Sequence, residues 1–143
     1  MKNRLTCGLG VLFLVSAVLT LTFTAVVVSA AGKEIQQIKP EEVKKLIESK
    51  KTYFVIVDTQ PKGVYDTGHI KGAINFPWAP ELKSPGKLPK NKMLLLYCDC
   101  AHEEDSIDTA TQLMEKWGYT NLKVIEGGWS KWQELGYPVD KKK

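Results

Sequence analysis

Short apolar runs rich in β-branched residues alternate with amphipathic helical segments from residue 34 onward, and this alternation constrains the fold of the 143-residue chain most strongly. The strand-like runs cover residues 34–38, 52–58, 72–76 and 92–98, and residues 121–129 supply a last strand and a turn. Apolar side chains at helical spacing lie between and after them, namely Val43, Leu46 and Ile47, then Ile107, Ala110, Leu113, Met114 and Trp117, and finally Trp129, Trp132 and Leu135. Such alternation predicts an α/β domain with a parallel sheet that helices cover on both faces. Residues 77–92, with four prolines, one glycine and four lysines, predict a surface connection.

The first 31 residues do not follow this alternation. Lys2 and Arg4 precede an uncharged apolar run over residues 5–32, and Val28 and Ala30 match the small-residue rule for signal-peptide cleavage. The run is also long enough for a spanning helix, so residues 1–31 are either a cleaved signal peptide or an N-terminal membrane anchor. Both interpretations export residues 32–143 as one domain to a periplasmic or other extracytoplasmic compartment, with membrane attachment only if the segment is uncleaved.

The charge of the exported part is close to balanced. Leaving out Lys2 and Arg4 lowers the number of basic residues from 20 to 18, against 16 acidic ones, which gives a net charge of +2. This balance and the absence of a DNA-binding pattern argue against a nucleic-acid partner. Arg4 is the only arginine in the sequence, so the domain lacks the side chain best suited to bidentate binding of phosphate or carboxylate.

Two of the three cysteines, Cys98 and Cys100, follow the most hydrophobic predicted strand, where open α/β sheets place their sites. The neighbouring acids, Asp99, Glu103, Glu104 and Asp105, disfavour a thiolate, which is the reactive form of cysteine. A strained disulfide between the two thiols is one alternative in an oxidising compartment. A second is a zinc or copper(I) site completed by His102, although the spacing does not match common structural zinc sites.

Three stretches of sequence resemble the rhodanese family, in the order in which that family has them. They are "VIVDTQPKGVYDTGHIKGAINFP" at residues 55–77, "LLLYC" at 94–98 with Ser106 downstream, and "VIEGGWSKWQELGYPV" at 124–139. The resemblance implies a rhodanese-like open parallel sheet of about five strands with helices on both faces. It also implies sulfur transfer through a cysteine persulfide, without a cofactor or metal, from a small sulfur donor to a thiol or other nucleophilic acceptor, and it leaves room for a protein partner.

The resemblance leaves the identity of the sulfur-carrying cysteine open. Position directly after the strand selects Cys98, whereas the family's five-residue gap before the serine fits Cys100 and Ser106. We expect Cys98 to carry the sulfur, because a strand fixes the direction of a side chain more firmly than a loop does. Cys100 would then receive sulfur or close a disulfide. We expect the surrounding loop and substrate-binding residues to be Asp99, Ala101, His102, Glu103, Glu104, Asp105 and Ser106, with Ser106 capping the following helix.

Two further residues should support the site structurally. Asp58 ends the second predicted strand and should organise that strand end, and His69 should orient loops by hydrogen bonding. Many rhodaneses have arginine in the loop, where this chain has Glu104 and Asp105, so thiosulfate should be a poor donor. The missing arginine also disfavours the phosphatase activity of related proteins.

Three function classes therefore follow from the sequence. The first is an exported sulfurtransferase of the rhodanese type. The second is a catalytically silent rhodanese module that binds a partner, and the third is a Cys-x-Cys redox or metal-binding protein.

Overall fold

The structure is a computed structural model that describes residues 34–141, so the predicted export segment lies outside the described residues. Five strands form one parallel sheet in the order β1-β6-β5-β2-β4. They are β1 (Gln36–Ile38), β2 (Phe54–Asp58), β4 (Ile74–Asn75), β5 (Met93–Tyr97) and β6 (Leu122–Ile125). The predicted α/β class and the open parallel sheet of five strands are confirmed.

Four helices connect these strands, and they are α1 (Pro40–Glu48), α2 (Lys62–Thr67), α3 (Glu104–Trp117) and α4 (Gly128–Glu134). Pro40 begins α1, where its fixed φ angle favours the helix and its missing N–H costs no hydrogen bond. Gly118 ends α3 in the left-handed conformation, with φ 68°. The short helix α2 was not predicted, because its six residues carry no buried side chain and therefore no apolar period.

The central strand β5 separates the core into two halves. Its side chains alternate between the faces, so Leu95 and Tyr97 belong to one cluster and Leu94 and Leu96 to the other, all four with no exposed surface. Helices α1 and α4 cover the first face with Val43, Trp129 and Trp132, and α3 covers the second with Ala110 and Leu113. The helices therefore lie on both faces, and the tryptophans are core residues as their spacing predicts.

The connection at residues 77–92 is more than the surface segment predicted from its prolines and lysines. Leu82 and Leu88 are each only 7% exposed and pack into the same cluster as α3. Gln112 accepts a hydrogen bond from the backbone N–H of Leu82 at 2.8 Å, and the Tyr119 hydroxyl donates to the Leu88 carbonyl at 2.6 Å. Most of residues 77–92 are exposed, as the composition predicts, but the two leucines complete the cover of the second sheet face.

A separate antiparallel ribbon joins β3 (His69–Ile70) to β7 (Val139–Asp140), near the end of the described chain. It pairs His69 with Asp140 and Ile70 with Val139. Two-residue strands give no detectable alternation, so the sequence did not reveal this pairing. Across residues 34–141, the helices are too short or too polar for any of them to span a membrane.

Gly127 and Gly128 allow the backbone at the start of α4 to lie in contact with the backbone of Cys98, the residue that follows β5. Both have positive φ, 69° and 48°, and a Cβ placed on Gly128 would lie 2.1 Å from the carbonyl oxygen of Cys98. That carbonyl also accepts a hydrogen bond from the backbone N–H of Trp129 at 2.8 Å. Only glycine fits at residue 128, because any side chain there would push α4 away from the residue that follows β5.

We expect Gly128→Ala to destabilise the fold by about 3 kcal/mol or more, because positive φ and a backbone clash add together. Gly136→Ala is the matched control: Gly136 has φ +65° but no atom within 4 Å of its Cβ position. The control should lose only about 1 kcal/mol, the cost of the left-handed conformation alone. Urea denaturation followed by tryptophan fluorescence measures both. Equal losses in the two variants would contradict the close approach at Cys98.

Candidate active site

Cys98 is the first residue after β5 and lies at the carboxyl edge of the sheet. It is 1% exposed, and its thiol donates a hydrogen bond to the Ser106 hydroxyl, with 3.7 Å between Sγ and Oγ. Its backbone is held by the Trp129 amide described above. The strand and the close approach of α4 thus fix Cys98, and in this arrangement its sulfur is covered.

Cys100 is partly exposed and lies beside Cys98, and both cysteines are free thiols. Burial is the main factor that raises the pKa of Cys100 to about 12, with further contributions from Cys98 and the Asp105 carboxylate. The backbone N–H of Asp105, in the first turn of α3, partly offsets this rise. At neutral pH Cys100 is a protonated thiol.

Helix α3 begins two residues earlier than Ser106, so the expectation that Ser106 caps this helix was wrong. The N-cap residue is Glu103, which has φ 54° and makes no side-chain capping bond. Ser106 lies in the first turn, fully buried, and its hydroxyl donates to the Glu103 carbonyl at 2.9 Å. The first turn also contains Glu104 and Asp105, which were expected in the loop. Ser106 therefore links the helix to the Cys98 sulfur.

Three of the acids near the thiols hold the loop in place. The Asp99 carboxylate accepts hydrogen bonds from the backbone N–H and the hydroxyl of Ser130, at 3.1 Å and 2.5 Å. Glu103 accepts one from the Gly127 backbone N–H at 2.7 Å. Glu104 accepts one from the His102 backbone N–H at 3.1 Å, and backbone hydrogen bonds lower its pKa. Their charge is thus used to attach loop 98–103 to α4 and to itself.

Ser130 and Gly127 are site residues that sequence reasoning missed. They lie 31 and 24 residues from the acids that they bind. The available signal was the Gly-Gly pair after β6, in the stretch "EGGWS", since a glycine pair there indicates a close backbone approach.

The two predicted supporting residues lie beneath the site. Asp58 is fully buried and accepts hydrogen bonds from the Tyr97 hydroxyl at 2.5 Å and the Gln60 backbone N–H at 2.8 Å. Burial raises the pKa of Asp58, and the bonds from Tyr97 and Gln60 partly offset that effect. The Gln60 side chain also donates to the Asp58 carboxyl group, at 3.3 Å.

His69 stacks on Tyr65, with 3.8 Å between ring centroids, and its Nδ1 lies 2.8 Å from the Tyr65 carbonyl oxygen. This contact connects the short ribbon to α2.

Ala101 and His102 lie exposed in the loop. Within residues 34–141, no three side chains among His, Cys, Asp and Glu are grouped so that they could hold a metal ion. The structure therefore does not bring Cys98, Cys100 and His102 together as a ligand set.

Comparison with known proteins places this site in a family context. The model of the rhodanese-like domain matches residues 39–135. One relative is an adenylyltransferase and sulfurtransferase, UBA4 of Meyerozyma guilliermondii, with 32% identity over 54% of this chain and 20% of its own length. A second is the sulfur carrier protein TtuD of Thermus thermophilus, with 30% identity over 59% of this chain and 34% of its own length. The chain thus spans about a fifth to a third of the length of these relatives.

Solved structures agree with the fold. A protein from Bacillus halodurans superposes with a TM-score of 0.67 at 19% identity, covering 75% of this chain and 77% of that one. A rhodanese-related protein from Thermoplasma volcanium gives 0.59 at 26% identity, covering 73% and 97%. The match of the family model to residues 39–135 shows that the chain belongs to the family of rhodanese-like domains, and the five-stranded parallel sheet agrees with it.

Proposed function

We propose that this protein is a sulfurtransferase that carries sulfane sulfur as a persulfide on Cys98. The observation that carries the proposal is the position of Cys98, fixed at the end of the central strand with its sulfur bonded to Ser106 in the first turn of α3. The amino end of a helix carries partial positive charge, which favours a thiolate and a persulfide anion. Two relatives, a sulfur carrier protein and an adenylyltransferase and sulfurtransferase, support the same chemistry.

In the proposed reaction the Cys98 thiolate attacks the outer sulfur of a donor. A new S–S bond forms at Cys98, and the donor's own S–S bond breaks, so that its remaining part leaves with the electron pair. A nucleophilic acceptor, a small thiol or a thiol on a protein partner, then attacks the terminal sulfur and returns Cys98 to the thiolate. Because Cys98 is 1% exposed, loop 98–103 must open for a bulky acceptor.

The proposal places this chemistry outside the cytoplasm, since residues 1–31 combine a positive start with a long apolar run. The N-terminal residue of the protein isolated from its native membrane and extracytoplasmic fractions tests this. We expect a new N-terminus at Ala31 or Gly32 if the signal peptide is cleaved, and an intact chain in the membrane fraction if the segment is an anchor. An intact chain in the cytoplasm would contradict export.

The persulfide itself is tested by intact mass after treatment with inorganic polysulfide. Cys7→Ser should be the background, so that Cys98 and Cys100 are the only thiols. Cys100→Ser in this background should gain one sulfur atom, and Cys98→Ser should gain none, because a hydroxyl group cannot hold sulfane sulfur. A Cys98→Ser variant that takes up sulfur would move the carrier role to Cys100. If no variant takes up sulfur, the domain is a silent binding module or a redox protein.

Thiosulfate should be used poorly, and the Asp105 charge should be one cause, because it acts on the thiol pair and no described residue is an arginine. We expect Asp105→Asn to raise kcat/KM for thiosulfate about threefold at low salt, and less at high salt, relative to kcat/KM for a neutral organic trisulfide. Glu115→Gln, an exposed residue near the other end of α3, makes the same charge change away from the thiols. An equal effect in both variants, or none at Asp105, would contradict local repulsion.

A further inference from the structure

We propose that Cys100 resolves the persulfide on Cys98, releasing hydrogen sulfide and leaving a Cys98–Cys100 disulfide that an external dithiol reopens. This would give the domain a second activity, the dithiol-dependent reduction of sulfane sulfur to sulfide. The inference rests on the persulfide function proposed above and adds a separate fate for the bound sulfur.

The arrangement of the two thiols favours this step over transfer to an external acceptor. Cys98 is 1% exposed, so an external nucleophile reaches its persulfide only after the loop opens. One residue separates Cys100 from Cys98 in the chain, and the Cys98 side chain is close enough to contribute, after burial, to the raised pKa of Cys100. A nucleophile held in contact acts as if at very high local concentration. The buried persulfide therefore meets Cys100 before it meets a molecule from solution.

The step balances without an outside oxidant. Cys100 attacks Sγ of Cys98, a bond forms between the two cysteine sulfurs, and the bond from Cys98 to the terminal sulfur breaks. The terminal sulfur leaves with the electron pair as hydrosulfide, and it takes up the proton that Cys100 loses. Sulfane sulfur is thereby reduced to sulfide, and the two cysteines are oxidised to a disulfide.

The resulting disulfide would be easy to reopen. A bridge between cysteines separated by one residue departs from relaxed geometry, and strained bridges have higher reduction potentials and are more readily reduced. Cys100 is the partly exposed member of the pair, so a dithiol from solution can attack its sulfur. Two thiol–disulfide exchanges then return both cysteines to thiols and oxidise the dithiol.

The electrostatics of Cys100 make the resolving step depend on pH. Burial is the main cause of its raised pKa, and two titratable groups add to the rise, the Cys98 thiol directly after β5 and the Asp105 carboxylate in α3. The thiolate is the attacking form, so resolution should be slow at neutral pH. It should accelerate nearly tenfold per pH unit from pH 7 to pH 9, below the raised pKa of Cys100.

The test uses the full-length Cys7→Ser protein and its Cys100→Ser and Cys100→Ala derivatives, treated anaerobically with inorganic polysulfide and freed of excess donor. Without a dithiol, the parent should release one sulfide per chain and end as a disulfide, two hydrogens lighter and resistant to alkylation. Both Cys100 variants should keep the added sulfur. With dithiothreitol and polysulfide present, the parent should release sulfide at least about tenfold faster than either variant, and faster at pH 9 than at pH 7.

The possible failures are distinguishable. A parent that holds its added sulfur as long as the Cys100 variants would overturn the resolving role and leave the persulfide function intact. Sulfur uptake by Cys98→Ser but not by Cys100→Ser would overturn it by reversing the roles. If no variant takes up sulfur, both the proposed function and this inference fall. A donor-free sample that forms the same disulfide at the same rate would assign the bridge to adventitious oxidation and overturn the resolving step.

Discussion

The buried hydrogen bond from the Tyr97 hydroxyl to Asp58 is the contact on which the geometry of the site depends. It joins the last residues of β2 and β5 at 2.5 Å, and the same hydroxyl accepts the Ile70 backbone N–H of β3 at 3.0 Å. Neither residue has exposed surface, so leaving either group without its partner would cost on the order of 1–3 kcal/mol. Because Cys98 follows Tyr97 directly, this bond also sets where the first thiol begins.

The acidic residues around the thiols have two effects: some hold the loop by hydrogen bonds, and one disfavours a thiolate. The Asp99 and Glu103 carboxylates accept hydrogen bonds from backbone N–H groups at the start of α4, and these bonds hold the loop closed. Burial is the main cause of the raised pKa of Cys100; the Asp105 carboxylate adds to the rise, and the Asp105 backbone N–H opposes it. The net result is a loop held by anions around a thiol pair of which one member stays protonated. Under the proposed function, such a loop would suit neutral or protein-borne sulfur better than a small dianion.

The pairing of a covered and a partly exposed thiol relates the proposed function to the further inference. A covered Cys98 protects a persulfide from solvent, which benefits a carrier. The same cover slows delivery to acceptors, and it leaves Cys100 as the nearest nucleophile. Sulfur would be delivered to an acceptor when loop 98–103 opens before Cys100 loses its proton and attacks. It would be reduced to sulfide when Cys100 attacks first.

Local patterns in the sequence were enough to predict the α/β class, the parallel sheet, the core face of each long helix and the two thiols at the end of a central strand. These features follow from local periodicity and from runs such as Leu94 to Leu96, which need only neighbouring residues to be read. The short helix α2, the ribbon at His69 and the burial of Leu82 and Leu88 did not follow, since too few local residues carry a signal.

The orientation of the thiols and their surroundings depend on tertiary contacts. Loop 98–103 takes its path from Ser130 and Gly127, which lie 31 and 24 residues from the acids they bind, and from Gly128, where α4 contacts the Cys98 carbonyl. That path brings the Asp105 backbone N–H close enough to Cys100 to act on its pKa. It also puts Ser106 in the first turn of α3 and not at its N-cap. Long-range backbone contacts set the direction of this loop, and they leave no local pattern in the sequence. The details of the site were therefore not predictable, whereas the fold, which follows from local periodicity, was.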